Sequence, residues 1–511
     1  MGAIISVVLL AVLVVLRYAP WTNGKHNRLP PGPKPLPVLG NVHQVPLEYQ
    51  QRAFADWTKQ YGDVIYAKLF RKPLLILNSA QAAQDLLEKG GAKYSDRPRF
   101  ILITEMIGFT HNVTILPYGD RWKLQRKWIQ TALQTKVALD SYKPIQRRET
   151  NRLLHSMLQT PEDHFSHLKR YVGALMMEIA YGHSVTSADD EFINLSEAAL
   201  AGTVEAGSAA ATLVDFFPFL RYIPEWMPGG GFKKRAYEVR KLVQRMIDTP
   251  YEKVKEAMVL GTAKPSFLSS LIEEMSKDGD MSPEMRDEVK GAANIVYGAG
   301  TDTTATSLKS FVLAMTLFPE ACSKAQEEID RVIGNSRLPE FEDRESLPYV
   351  DCLLREVYRW NPPAPLGLPH QLMEDDEYRG YHIPGESMVM ANIWAMTRDP
   401  NMYFEPDAFR PERFLEMSPA DAATRDPYNI VFGFGRRLCA GRQFGDESIW
   451  LAVANILAIF SIHKARDVSG KEIEPVISFA SGTISHPRPF VCDIRPRSKN
   501  AVKLISQINV D

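Results

Sequence analysis

Cysteine is scarce in this sequence and never paired. Cys322, Cys352, Cys439 and Cys492 lie far apart over 511 positions, with no C-x-x-C spacing and no histidines at zinc-finger spacing. A disulfide framework and a structural zinc site are both excluded as organising features, and the body reads as reduced and cytosol-facing. A charge excess is also missing, since 60 Lys+Arg balance 61 Asp+Glu for a formal net charge of -1. Nucleic acid is thereby excluded as the main partner, because phosphate binding shows as a basic surplus. The 31 glycines include neither G-x-G-x-x-G nor G-x-x-x-x-G-K-[ST]. The chain has no dinucleotide or phosphate-cradling loop, so any redox chemistry must draw its electrons from elsewhere. No internal repeat is present, and 45% hydrophobic with 24% charged residues is a globular composition.

One long hydrophobic run does occur. Met1 to Leu16 is uncharged and mostly apolar, and Arg17, Tyr18, Trp21, Lys25 and Arg28 follow it. At 1.5 Å per residue the run spans roughly 24 Å, enough for one anchor if Arg17 snorkels and the aromatics sit at the interface. A cleaved signal peptide fits less well, because the amino end lacks Lys and Arg. The flanking positive charge lies after the run, which places the large C-terminal body in the cytoplasm. Leu29-Pro30-Pro31-Gly32-Pro33-Lys34-Pro35-Leu36-Pro37 then reads as a stiff spacer, because proline fixes φ and removes an amide donor. The expected organisation is a transmembrane anchor over 1–20, a proline-rich hinge over 21–45 and a body over 46–511.

Within the body, Val64 to Phe70 and Leu74 to Leu77 read as a hairpin, and a shorter pair is expected from Tyr378 to Met390 around Pro384-Gly385. Helical periodicity dominates elsewhere. Ser282-Pro283 is a cap and first-turn pair opening a proline-free pattern that runs to Phe318, so one unusually long helix is predicted mid-chain. The fold class is mainly α with small β-sheets.

The stretch from Phe432 to Gly441, FGFGRRLCAG, is the most informative. Its three glycines let backbone approach a flat ligand, Arg436, Arg437 and Arg442 supply positive charge around Cys439, and Ile449, Ala452, Val453, Ile456, Leu457 and Phe460 follow at helical spacing. A sulfur placed just before a helix meets N-terminal amides and a dipole that favour thiolate. Cys439 is read as a metal-ligating sulfur.

These ten residues match the F-x-x-G-x-R-x-C-x-G signature, and the chain resembles the cytochrome P-450 family of haem-thiolate monooxygenases. Other blocks agree in order: Trp122 to Arg126 resembles W-x-x-x-R, Ala299 to Thr304 the oxygen-activation segment, Glu356 to Arg359 the E-x-x-R pair, and Phe409 to Phe414 the segment completing it. The resemblance implies one triangular, mostly helical unit rather than several domains, holding haem b with Cys439 as axial ligand. It also implies Arg437, Arg126, Trp122 and His370 as propionate partners, with Phe432 beside the cofactor. Asp302 is implied as proton relay, and Thr303 as the residue that holds oxygen after bonding back to the Ala299 carbonyl. Glu356, Arg359 and Arg413 are expected to form a structural charge network behind the cofactor, fixing the cysteine loop.

Family regions at Phe100 to Thr104, Val214 to Phe219, Asn294 to Gly300, Ala364 to Leu368 and Ser481 to Ile484 suggest a mostly apolar pocket for a lipophilic small molecule. The Tyr378-Arg379-Gly380-Tyr381 hairpin and His486-Pro487-Arg488-Pro489-Phe490 look similar to fungal members acting in secondary metabolism, with a terpenoid as the leading substrate class. The implied partners are O2, a membrane and an NADPH-dependent reductase that docks on the basic cysteine side. The implied location is the endoplasmic reticulum membrane, where the sequons at Asn112 and Asn194 stay unmodified in a cytosol-facing body. Two alternatives remain in view: a haem-thiolate isomerase or dehydratase that needs no external electrons, and a membrane-tethered haem sensor.

Overall fold

Helices α1 (Asp120–Gln134), α2 (His164–Tyr181), α3 (Pro283–Leu317), α4 (Pro348–Trp360) and α5 (Arg442–Ile459) frame the site. The computed structural model describes residues 28–187, 189–207, 212–277, 279–418, 421 and 424–507. The expected anchor at 1–20 lies outside the described residues, and among those described no helix is long and apolar enough to cross a membrane.

Helix α3 begins and ends where the sequence signals it. The Ser282 hydroxyl accepts from Met285 N, Pro283 takes the first turn, and the helix stops at Phe318 ahead of Pro319. Its 35 residues give a rod of about 52 Å. Such a length survives because almost every face is covered: α2 packs along it, and α1, α4, α5 and a C-terminal strand meet it elsewhere. Helix α5 is likewise buried on all sides, including Trp450, Leu451 and Ala454. The single stripe read from Ile449 to Phe460 is therefore only part of its apolar surface, and its last member, Phe460, opens the following strand instead. A helix apolar all round is a core helix, and α5 carries the cysteine loop into the centre.

Strands β1 (Val64–Leu69), β2 (Lys72–Leu77), β3 (His370–Gln371) and β6 (Met388–Ala391) form one sheet in the order β1-β2-β6-β3. The β1–β2 hairpin is antiparallel as expected, with Val64 opposite Leu77. Of the two turns read between Tyr378 and Met390, the hairpin closes at Arg379-Gly380 and not at Pro384-Gly385. Strands β4 (Asp376–Tyr378) and β5 (Tyr381–Ile383) pair around Arg379-Gly380, whereas Pro384-Gly385 leads from β5 into β6, which runs parallel to β2. The physical reason is dihedral: Arg379 (φ 51°) and Gly380 (φ 74°) both take left-handed conformations, as a two-residue hairpin turn of primed type requires. Strands β7 (Phe460–Lys464) and β8 (Cys492–Pro496) form a third, two-stranded sheet.

The described part of the proline segment lies along β1. Tyr66 N donates to Pro31 O at 2.9 Å, Asn41 N to Lys68 O at 2.6 Å and Phe70 N to Leu39 O at 3.1 Å. Prolines supply carbonyls without needing acceptors in return, which suits them to a sheet edge.

Candidate active site

The cysteine loop closes on itself. Cys439 N donates to the Phe432 carbonyl at 2.9 Å, while the Phe432 ring meets Tyr358 and Tyr428 edge to face at 5.8 and 4.9 Å. Gly435 has φ 57°, and a Cβ there would stand 2.1 Å from the Leu87 carbonyl, so only glycine fits between the loop and its neighbour. Protein surrounds Cys439 and burial raises its thiol, yet the residue is exposed, which places the sulfur on the wall of an internal opening. A Gly441 N–H bond, Arg126 and Arg442 pull toward thiolate. The expected arginine ring around the sulfur is thus rearranged. Arg436 reaches the Tyr118 hydroxyl at 2.7 Å, and Arg437 lies over the Trp122 ring at 4.7 Å. Arg126, from α1, supplies the charge that Arg436 and Arg437 were expected to give.

Arg437 and Arg126, with the neutral imidazole of His370 beside them, belong to a buried cationic cluster that also contains Arg97, a residue the sequence reading missed. Arg97 is fully surrounded, donating from Nε to Thr114 O (2.8 Å) and from Nη1 to Leu368 O (2.8 Å) and Pro369 O (2.7 Å). Arg437 donates to Ser95 O and Leu116 O, each at 2.8 Å. Burial and the neighbouring guanidinium press Arg97 down to about 9, and burial presses Arg437 to about 10 despite nearby Asp96. His370 Nδ1 bonds to the Tyr94 carbonyl at 2.8 Å, and burial plus the two arginines push it down to about 3, so it is neutral. Arg126 donates from Nη2 to Leu438 O at 2.6 Å, but its buried Nε has no partner.

Apart from Asp96, these cations are matched by carbonyl dipoles rather than by carboxylates. Buried positive charge with an orphaned N–H calls for an anion that the chain itself does not provide. A flat cofactor bearing two carboxylates beside a thiolate ligand fits both the donors and the glycine-lined approach. No sequence spacing announces Arg97, because its partners lie up to 272 residues away.

Helix α3 carries a run of side-chain back-bonds. Hydroxyls of Thr301, Thr303, Thr306 and Ser307 bond back to the carbonyls of Tyr297 (2.7 Å), Ala299 (2.8 Å), Asp302 (2.9 Å) and Thr303 (3.2 Å). Such back-bonds compete with the ladder and bend a helix. Ala299 is exposed although it sits mid-helix, and nothing lies within 4 Å of a Cβ built on Gly298, so this turn borders free space. Asp302 is 45% exposed, and its Oδ2 lies 3.4 Å from His486 Nε2. In the sequence His486 is only the first residue of the His486-Pro487-Arg488-Pro489-Phe490 block, and its contact with α3 is tertiary.

Glu356, Arg359 and Arg413 form the expected network, at 0, 0 and 4% exposure. Arg359 donates to both Glu356 oxygens (2.7 and 2.8 Å) and to the carbonyls of Thr397, Pro406 and Ala408, while Arg413 reaches Phe404 and Ala408. The network therefore ties 397–408 to α4. The cysteine loop meets α4 through the neighbouring Tyr358 instead. Of the expected pocket segments, Val214 is buried, whereas Phe219 is 64% exposed and belongs to the surface.

A cysteine at the mouth of a core helix, a buried cation cluster with Asp96 as its one neighbouring carboxylate and an acid-alcohol turn of back-bonded hydroxyls together define a haem-thiolate type of site. The cytochrome P450 family profile matches residues 30–489. Over 96% of its length the chain is 51% identical to cytochrome P450 monooxygenase 136 of Postia placenta, covering 93% of that protein. It is 42% identical to cytochrome P450 monooxygenase claR of Ampulloclitocybe clavipes (95% and 90% of the two chains) and 39% to ple1 of Rhodocybe pseudopiperita (97% and 95%). The chain belongs to the cytochrome P450 family, and it is a monooxygenase, similar throughout to fungal members.

Proposed function

We propose that this monooxygenase inserts one atom of O2 into a lipophilic small molecule, of terpenoid-like class and in secondary metabolism, with Cys439 as the axial ligand of haem b and electrons from an NADPH-dependent reductase. The observation that carries the cofactor assignment is the orphaned Arg126 Nε, whose guanidinium neighbours both Cys439 and Arg437, with Arg97 next to Arg437. Bound there, the cofactor supplies dioxygen activation driven by thiolate donation. The chain's own residues do the rest. Arg97, Arg126 and Arg437 hold the carboxylates, Trp122 supports Arg437, and the neutral His370 gives its one N–H to the Tyr94 carbonyl. Thr303 keeps a hydroxyl at the opening, and Asp302 holds or releases a proton beside it.

Membrane attachment in the endoplasmic reticulum, through residues 1–20 with the body facing the cytoplasm, belongs to the same proposal. Apolar side chains on the body support it: Phe70 packs on Phe217 at 4.9 Å and Phe217 on the exposed Phe219 at 6.1 Å, and Leu39 is exposed as well.

The test is the reduced, carbon monoxide-treated full chain. The red-shifted Soret maximum of a thiolate donor is expected, and Cys439→Ser abolishes it. A haem-loaded protein without that maximum overturns the ligand assignment. Mass spectrometry of a host expressing the chain with a reductase, against the Cys439→Ser host, identifies product. Product that forms without NADPH would move the protein to the electron-independent class.

A further inference from the structure

His486 sits where it touches the acid of α3 from a different part of the chain. Nδ1 is 2.7 Å from Thr306 Oγ1, and Nε2 is 3.4 Å from Asp302 Oδ2. Asp302 and Thr306 are four residues apart on α3, hence on one face, and the imidazole bridges them from outside the helix.

Its backbone is fixed from three sides. Ala480 N donates to His486 O at 2.7 Å, and Ser485 N to Pro363 O at 2.8 Å. Asn361 Nδ2 donates to both Ser310 Oγ (2.9 Å) and Ser485 O (2.8 Å), joining the end of α4, helix α3 and the histidine segment. The ring is nevertheless 33% exposed, so it meets solvent on one side and the carboxylate on the other.

Proton counting constrains the pair. The Thr306 hydroxyl has one hydrogen. If it goes to the Asp302 carbonyl at 2.9 Å, Nδ1 must donate to Thr306. The contact between Nε2 and Oδ2 then holds a proton either as imidazolium or as carboxylic acid. If Thr306 instead donates to Nδ1, the remaining imidazole hydrogen is on Nε2, the atom that stands 3.4 Å from the carboxylate. In every arrangement that avoids two facing lone pairs, one proton lies between His486 and Asp302. Lys309, on α3, adds positive charge near Asp302, and Lys169, from α2, and Glu197 stand beyond it.

We propose that His486 is a positioning and proton-relay residue for Asp302. It holds the carboxylate and, as an imidazolium with Nδ1–H on Thr306, passes a proton from Nε2 to Oδ2, breaking N–H as O–H forms and leaving the neutral Nδ1–H imidazole. Asp302 hands that proton to the opening beside Thr303, and His486 regains one from solvent. The proposal deepens the monooxygenase reading and rests on it; the carbon monoxide maximum, measured first on each variant, separates failure of that reading from failure of this one.

The test needs no substrate. The holoenzyme with reductase is given NADPH and dioxygen alone, and the NADPH:O2 ratio is read. Release of H2O2 consumes one NADPH and one proton per O2, so that oxygen gains two hydrogens; full reduction to two waters consumes two NADPH and two protons, so that oxygen gains four. His486→Gln places a side-chain N–H where Nε2 stood, so it still holds Asp302 but cannot pass a proton on. The expected result is an unchanged carbon monoxide maximum, a severalfold rise in peroxide over water, and a larger rate decrease in deuterated solvent. Thr306→Val, which removes the Nδ1 partner, moves the partition the same way by less.

A second readout is spectroscopic. In 15N-histidine-labelled, reduced, carbon monoxide-bound protein, the Nε2 resonance that His486→Gln removes shifts in Asp302→Asn. An unchanged partition and isotope effect in His486→Gln, or an Nε2 resonance indifferent to Asp302→Asn, overturns the proposal.

Discussion

Removing the Glu356 carboxylate isolates two buried cations at once. Glu356 accepts from Arg359 Nε and Nη2 at 2.7 and 2.8 Å, from Arg413 Nε at 3.1 and 3.2 Å, and from Arg410 N at 2.7 Å. Arginine cannot shed its proton in a protein interior, so in Glu356→Ala both guanidiniums stay charged with only carbonyl dipoles against them. Breaking a buried pair from one side costs ~3–5 kcal/mol, a large share of the ~5–15 kcal/mol that separates a folded domain from its unfolded chain. A haem protein of this size unfolds irreversibly, so the quantity to measure is a rate. Loss of Soret absorbance in denaturant reports it, and we expect Glu356→Ala to unfold roughly a hundredfold faster or more, if the network is absent from the unfolding transition state. Glu356→Gln, which keeps shape and acceptor but not charge, falls between. Arg413→Ala costs less, because Glu356 then keeps Arg359, and the double variant Glu356→Ala/Arg413→Ala costs less than the two single effects added. An unfolding rate for Glu356→Ala within twofold of the parent refutes the reasoning, as does strict additivity in the cycle.

Thr303→Ala removes the hydroxyl at the opening; product per NADPH should fall tenfold or more while peroxide rises, and full coupling in that variant removes Thr303 from proton delivery. Arg126→Leu deletes the orphaned donor and should speed haem loss to a haem-scavenging apoprotein severalfold, with the carbon monoxide maximum keeping its position; an unchanged loss rate counts against Arg126 as a carboxylate partner. Asp215 is raised to about 6, chiefly by burial, while its Oδ1 accepts from Leu102 N at 3.0 Å. A raised carboxyl binds its proton more tightly when folded, so its contribution is full below the usual carboxylate range and is lost as pH rises through about 6. Asp215→Asn keeps the acceptor without the charge and should stabilise the chain at pH 8 by up to about 3 kcal/mol. Slower unfolding at pH 8 but not at pH 4 is the expected pattern, and equal effects at both would show that ionisation is not the cause.

Local chemistry fixed much of this molecule before any tertiary contact formed. Ser282 and Pro283 start α3, Phe318 and Pro319 end it, and the Thr303 hydroxyl finds a carbonyl one turn away; each depends on residues within four positions. The glycine-rich loop placed Cys439 ahead of a helix for the same reason. What the chain order could not reveal was which distant groups share a space. Arg97 joins Arg437 and His370, Arg126 replaces Arg436 beside the sulfur, β6 leaves its neighbour for β2, and His486 reaches Asp302 across 184 positions of chain. These depend on burial, which brings charges together from separate elements and makes each one's protonation depend on the others. A sequence records the groups, but their electrostatic company is set only when the core closes around them.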